Sequence, residues 1–181
     1  SEAAFDLPTL TVEGGTVYEA DAFNQPIGHW NTSAVTDMNW MFNRADRFNQ
    51  SIDSEADYSR WVTSNVTNMN RMFENAIAFN KDLNSWNTSK VTGSGFEAMF
   101  AGAAAFNGKI GNWDVSGATT LRSMLNGARP FNQNVSGWNT ARVSDFGYLF
   151  NRTSFRGDLS TWNVTSATNM DGMEYMLWDI T

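Results

Sequence analysis

The chain has 181 residues, of which 41% are hydrophobic, 14% aromatic and 17% charged; it is long enough for one domain with a buried core and too apolar for a disordered polyampholyte. Twelve Lys and Arg against 19 Asp and Glu give a formal charge of −7, which argues against a phosphate-binding surface and hence against nucleic acid as a partner. No apolar run is long enough for a membrane helix, and the absence of cysteine removes disulfides, thiolate metal sites and a thiol nucleophile.

In chain order, the N-terminus Ser-Glu-Ala-Ala-Phe carries neither an initiator Met nor a signal peptide, as expected of a processed mature form or an expressed segment. Residues 1–22, with Gly14-Gly15 among the apolar Leu10, Val12 and Val17, are expected to form a short N-terminal cap, read as a hairpin. From 23 to 175 the chain repeats, and 176–181 form its C-terminal end. Trp30, Trp61, Trp86, Trp113, Trp138 and Trp162 are separated by 31, 25, 27, 25 and 24 residues. Phe23, Phe79, Phe106, Phe131 and Phe155 each lie seven places before a Trp; Phe48 lies thirteen before Trp61 because of an insertion between Asp53 and Ser59. An Asn follows every Phe but the last, where Arg156 stands, and Ile27, Ile52, Leu83, Ile110, Val135 and Leu159 lie four beyond the Phe.

Each unit divides into two halves. In the first, Ile27, Trp30 and Thr32 alternate with His29, Asn31 and Ser33, the period of a short strand. In the second, Met38, Met41, Phe42, Ala45 and Phe48 follow helical spacing, repeated by Met69, Met72, Phe73, Ala76 and Phe79, with Thr36 and Thr67 placed as N-caps. Units this small must stack to bury a face. The expected fold is therefore α/β, a right-handed leucine-rich-repeat-like solenoid of about six 25-residue units, each a short parallel strand plus a short helix. Leu83-x-x-Trp86-x-Thr88 fits the leucine-rich core pattern. The third unit carries two extra residues near Gly93-Ser-Gly95, and the last ends in the apolar run from Met173 to Trp178.

No constellation for catalysis emerges. His29 is the single histidine, which excludes a His-based triad and a His-rich metal site, and the expected protein is not an enzyme and has no cofactor. Asp53, Glu55 and Asp57 make an oxygen-rich insertion, but its spacing lacks the glycine and terminal Glu of a calcium loop, and a solvated loop is the expected reading. The Trp, Met and Phe columns read as core, and the Asn after each Phe as an amide ladder between units. What remains is the exposed side of the strands. Its candidate ligand-binding residues are His29, Asn31, Ser33, Arg60, Ser85, Asn87, Ser89, Asn112, Asp114, Asn139 and Asn163. Asn31, Asn49, Asn65, Asn87, Asn134, Asn151 and Asn163 also head N-x-[ST] sequons, candidate glycosylation sites in a secretory organism. The Thr column at Thr32, Thr63, Thr88 and Thr140 is expected to point inward.

The strings WNTSAVTDMNWMFNRADRFNQSI, WVTSNVTNMNRMFENAIAFNKDL and WDVSGATTLRSMLNGARPFNQNV resemble the bacterial surface protein 26-residue repeat (DUF285), grouped with the BspA-like leucine-rich-repeat surface proteins. The resemblance covers roughly residues 23 to 175. It implies an extracellular or cell-surface place and an adhesion or ligand-binding role, and it brings no catalytic residue. The expected function is a recognition or adhesion module that binds a protein or glycan through the polar sheet face. The alternative is a structural or assembly subunit of a larger extracellular or organellar complex, packing through the solenoid ends, with self- or hetero-assembly through the C-terminal end.

Overall fold

A computed structural model describes residues 21–53 and 61–173. The expected N-terminal cap, the insertion carrying Glu55 and Asp57, and most of the apolar C-terminal run lie outside the described residues. The units stack in sequence order, and the core is built from columns of identical side chains. Phe23, Phe48, Phe79, Phe106, Phe131 and Phe155 follow one another at ring separations of 5.7, 5.9, 5.9, 6.0 and 6.3 Å. Trp61, Trp86 and Trp113 stack at 6.0 and 6.3 Å, and Trp138 stacks on Trp162 at 6.0 Å. A third column joins Phe42, Phe73 and Phe100 at 5.2 and 5.4 Å. Offset stacking of this kind adds to the apolar burial of each ring.

The expected strand-plus-helix unit does not form. Among the described residues there is no helix, and strand pairing is confined to the isolated parallel bridges Asp37–Asn68, Gly93–Ala118, Thr120–Asp145 and Asp145–Asn169. No helix among them is long and apolar enough to cross a membrane. The protein is not an α/β solenoid, and its leucine-rich-repeat reading falls with the helix. Spacing gives the physical reason. Packed helices need about 8–10 Å between axes, whereas successive units lie one backbone hydrogen bond apart, with Phe42 N 2.8 Å from Met72 O.

At that distance the backbone bonds to its neighbours instead of to itself. The N–H groups of Met38, Trp40, Phe42 and Arg44 donate to the carbonyls of Asn68, Asn70, Met72 and Glu74 in the next unit, at 2.9, 3.1, 2.8 and 2.8 Å. The N–H groups between them turn back: Met41, Asn43 and Ala45 donate to Met38, Trp40 and Phe42, three residues earlier. Trp40 and Arg44, third in two of these turns, have φ of 60° and 55°, as the third residue of a type II turn does. The same two columns are left-handed in later units, at Arg71, Ala98, Ser123, Tyr148 and Gly172, and at Asn75, Gly102, Gly127 and Arg152. Thr36 and Thr67 are not N-caps; the Thr67 N–H and hydroxyl both donate to the Thr36 carbonyl, at 2.8 and 3.1 Å.

The first half of each unit is not a strand either. Trp30 N–H closes a turn onto Ile27 O at 3.0 Å, and Val35 N–H one onto Thr32 O at 2.9 Å. Units are joined here through side chains. The indole N–H groups of Trp61, Trp86, Trp113, Trp138 and Trp162 donate to the carbonyls of Ile27, Ile52, Leu83, Ile110 and Val135 in the preceding unit. Thr32, Thr63, Thr88 and Thr140 do point inward, each no more than 3% exposed. Their hydroxyls donate to the carbonyls of Val62, Asn87, Asp114 and Asn163. The amide ladder also forms: the side-chain oxygens of Asn24, Asn49, Asn80, Asn107 and Asn132 accept the backbone N–H of Asn49, Asn80, Asn107, Asn132 and Arg156. Among the described residues every buried side-chain nitrogen and oxygen is partnered.

Candidate functional site

The row of side chains flanking the Trp column reaches the surface as expected, although turns rather than strands carry it. His29, Asn31, Ser33, Asn87, Ser89, Asn112, Asp114, Asn139 and Asn163 are exposed and Ser85 is half-buried, while Arg60 lies outside the described residues. The residue after every Trp of the column except Trp61, which Val62 follows, has a local duty. The Oδ1 atoms of Asn31, Asn87, Asp114, Asn139 and Asn163 accept the N–H two residues on, from Ser33, Ser89, Ser116, Ala141 and Thr165, at 2.9 to 3.2 Å. These are Asx turns, in which the side chain substitutes for a backbone acceptor. One acceptor on each side chain is thereby committed to the fold.

Beside this row the stack opens into two shallow hollows. The first, of about 410 Å³, is lined by Ser51, Asp53, Lys81, Asp82, Asn84, Ser85, Lys109 and Asn112. The second, of about 400 Å³, is lined by Asn84, Lys109, Gly111, Asn112, Gln133, Asn134, Ser136 and Gly137. Shared walls at Asn84, Lys109 and Asn112 make them one groove crossing the second to fifth units. Its lining holds no large apolar side chain. Charges of both signs stand at the Asp53 end, and amides and hydroxyls at the Gln133 end.

Close backbone contacts and side-chain bonds between units shape this groove. A Cβ on Gly111 would lie 2.5 Å from Asn134 O, so only glycine lets the fourth and fifth units close there. A Cβ on Gly108 would lie 2.1 Å from Lys81 O. The Asn84 side-chain oxygen accepts Asn112 N–H, and the Asp82 carboxylate accepts Lys109 N–H, both at 2.8 Å. The Ser85 hydroxyl donates to the Asp53 carboxylate. Lys109 Nζ lies 3.6 Å from Asp82 Oδ2 with both side chains more than half exposed, a pair that contributes about 1 kcal/mol or less.

Of the candidate ligand residues, the groove brings together Ser85 and Asn112. Asn31, Asn87, Asp114, Asn139 and Asn163 do not line it. Asp53, Lys81, Asp82, Asn84, Lys109, Gln133 and Ser136 line the groove but were not among the candidate ligand residues, because they sit at variable places between Phe and Trp; the one signal for them was the third and fifth places after the Phe, which are polar or Gly from the second unit to the fifth.

The sequon asparagines all have structural work. Besides the Asx turns of Asn31, Asn87 and Asn163, Asn49 belongs to the amide ladder and Asn134 accepts Ser136 N–H. Asn65 Nδ2 donates to Ser33 O, and its Oδ1 accepts from Lys90 Nζ. Asn151 Nδ2 donates to Asn126 Oδ1. No group of three His, Asp or Glu side chains converges as a metal site would require, among the described residues.

Comparison with known proteins gives one relationship. Residues 4–96 and 94–177 match, in adjacent copies, the family described as "Mycoplasma protein of unknown function, DUF285". No curated protein and no solved structure matches the chain.

Proposed function

The chain belongs to the DUF285 family, and from that premise we propose that it is a non-enzymatic recognition module at a cell surface, holding a polar polymer, a glycan, along the groove beside its Trp column. The observation that carries this reading is the groove itself: an open, polar channel running across four successive units, lined by Asp82, Asn84, Lys109, Asn112, Asn134 and Ser136. A polymer lying along the stack would meet a new set of amides and hydroxyls at each unit, and many such contacts add without a deep pocket. The single histidine and the lack of cysteine favour binding over chemistry. The cell-surface placement rests on the family resemblance.

Titration calorimetry with soluble hexasaccharides of the cellulose, chitin and starch series tests the reading. Binding of at least one, weakened about tenfold or more by Lys109→Ala with Asn112→Ala at an unchanged melting temperature, is the expected result. Absence of heat with all three probes, or binding indifferent to both substitutions, would remove the glycan reading.

A further inference from the structure

Hydrogen bonding in the middle of the groove is one-sided: the chain takes most of the acceptors and leaves the donors over. The Asn84 and Asn134 side-chain oxygens accept the N–H groups of Asn112 and Ser136, at 2.8 and 2.9 Å. Asp82 Oδ1 accepts Lys109 N–H at 2.8 Å, and the Asp53 carboxylate accepts the Ser85 hydroxyl. Among the described residues, neither the NH2 groups of Asn84 and Asn134 nor the half-buried Lys81 ammonium donates to a protein acceptor. Lys109 Nζ comes no nearer than 3.6 Å to Asp82 Oδ2, too far for a charge-assisted hydrogen bond. Gln133 is the counter-case, since its Nε2 donates to Asn107 Oδ1 and its own oxygen is left over.

The chain has three lysines, and two of them, Lys81 and Lys109, stand here on successive units; the third, Lys90, donates to Asn65 Oδ1 at 2.7 Å. They offset Asp53 and Asp82, so a chain of formal charge −7 lays no net negative charge along this groove. Donors left without acceptors fit a ligand rich in acceptors, and ammonium groups left without a close carboxylate fit one that carries negative charge. Resting on the reading of the groove as a glycan site, we infer that the polymer it holds is acidic, its sugars bearing a carboxylate or a sulfate ester. The third and fourth units are joined beside the two lysines by the bond from Leu83 N–H to Lys109 O at 3.0 Å, and hydrogen-bonded backbones lie about 4.8 Å apart. Lys81 and Lys109 therefore meet successive acidic groups of the polymer, while the Asn84 NH2 donates to the sugar oxygens between them. Lysine, a compact charge on a flexible stem, follows such groups without demanding one fixed fork geometry.

Titration calorimetry of the whole chain with one hexasaccharide in three forms tests this: neutral, oxidised at C6 to the uronate, and sulfated at C6. At least one acidic form is expected to bind about tenfold or more tighter than the neutral one, and which of them gains more tells carboxylate from sulfate. The gain is expected to shrink between about 50 and about 500 mM salt, as exposed charges are screened. Lys81→Gln is expected to remove most of the gain at an unchanged melting temperature, and Lys81→Arg to keep it. A neutral form that binds as tightly as both acidic ones overturns this inference and leaves the glycan site standing. A gain that survives Lys81→Gln overturns the role given to this cation. Heat from none of the three forms removes the glycan site and the inference together.

Discussion

The indole N–H of Trp86 donates to the carbonyl of Ile52, 34 residues earlier, at 3.0 Å, while the Trp86 ring stacks between Trp61 and Trp113. One side chain thus fixes both the spacing and the register of adjacent units. Trp86→Ala is expected to cost about 3–5 kcal/mol, as loss of a buried Trp does. Trp86→Phe keeps an aromatic ring and loses the donor to a buried carbonyl, at a cost of about 1–3 kcal/mol. Urea denaturation of both variants checks this; a Trp86→Ala midpoint equal to the parent's would contradict the role given to the ring.

The inward Thr column offers a controlled comparison. Thr88 donates to Asp114 O at 3.0 Å, but the same place in the next unit is Val115, fully buried. Valine therefore fits the space, and Thr88→Val isolates the hydroxyl. The expected loss is about 1–2 kcal/mol, read by denaturation. A neutral result would mean that Asp114 O finds another donor.

Left-handed residues lead to opposite expectations for two substitutions. Arg152, exposed with φ of 58°, stands in the same column as Gly127, with φ of 82°. A side chain in this region costs about 1–2 kcal/mol, partly offset by the greater freedom of glycine in the unfolded chain. Arg152→Gly is expected to raise stability by about 0.5–1 kcal/mol, and Gly127→Ala to lower it by about 1 kcal/mol. The Gly127 substitution meets nothing nearer than Gly102 at 3.5 Å, so its cost is conformational. Thermal melts giving the reverse order would count against the turn geometry.

Gly111 and Gly137 both line the groove but differ in room. A Cβ at Gly111 would press on Asn134 O at 2.5 Å, whereas one at Gly137 would sit 3.9 Å from Gly111 O. Gly111→Ala is expected to cost about 1–3 kcal/mol through displacement of the neighbouring unit. Gly137→Ala is expected to fall within about 0.5 kcal/mol of the parent. Equal melting temperatures for the two would show that the units are free to separate here.

Acid titration has one local expectation. The Asp158 carboxylate accepts Ser160 N–H at 2.8 Å, and this bond, helped by the Ser160 side chain, holds its pKa below the ordinary value of 3.8. The folded pKa is the lower one, so the stabilisation is present above the unfolded value and fades as pH falls through the folded one. Carbon-detected NMR of the Asp158 carboxyl should titrate below 3.8; a midpoint above it would show that the bond is absent in solution.

Unit boundaries and core were legible in the sequence because they depend on which side chains recur. Ile52, Trp86, Met69 and Phe73 are buried where their columns require, and Thr63 and Asn80 take their expected inward and ladder places. The backbone was not legible. Met38-x-x-Met41-Phe42-x-x-Ala45 places the same residues inward whether the chain winds as a helix or bends through i→i+3 turns, and periodicity cannot separate the two. The separating signal lay in residues off the apolar face. Gly102 and Gly127 share a column with Asn75, and glycine recurring in register with asparagine at the centre of a supposed helix marks left-handed backbone. The groove was less visible still, since it depends on Gly111 admitting the next unit rather than on any repeated polar residue.

The tryptophan column gives the protein an internal clock of its own unfolding. Five indole N–H groups each bridge a different pair of units, at 2.8 to 3.2 Å. The deuterium exchange of each therefore times the parting of one junction and no other. Five resolved indole resonances would rank those junctions by the free energy of opening, and show whether the molecule frays from one end, from both, or breaks in the middle.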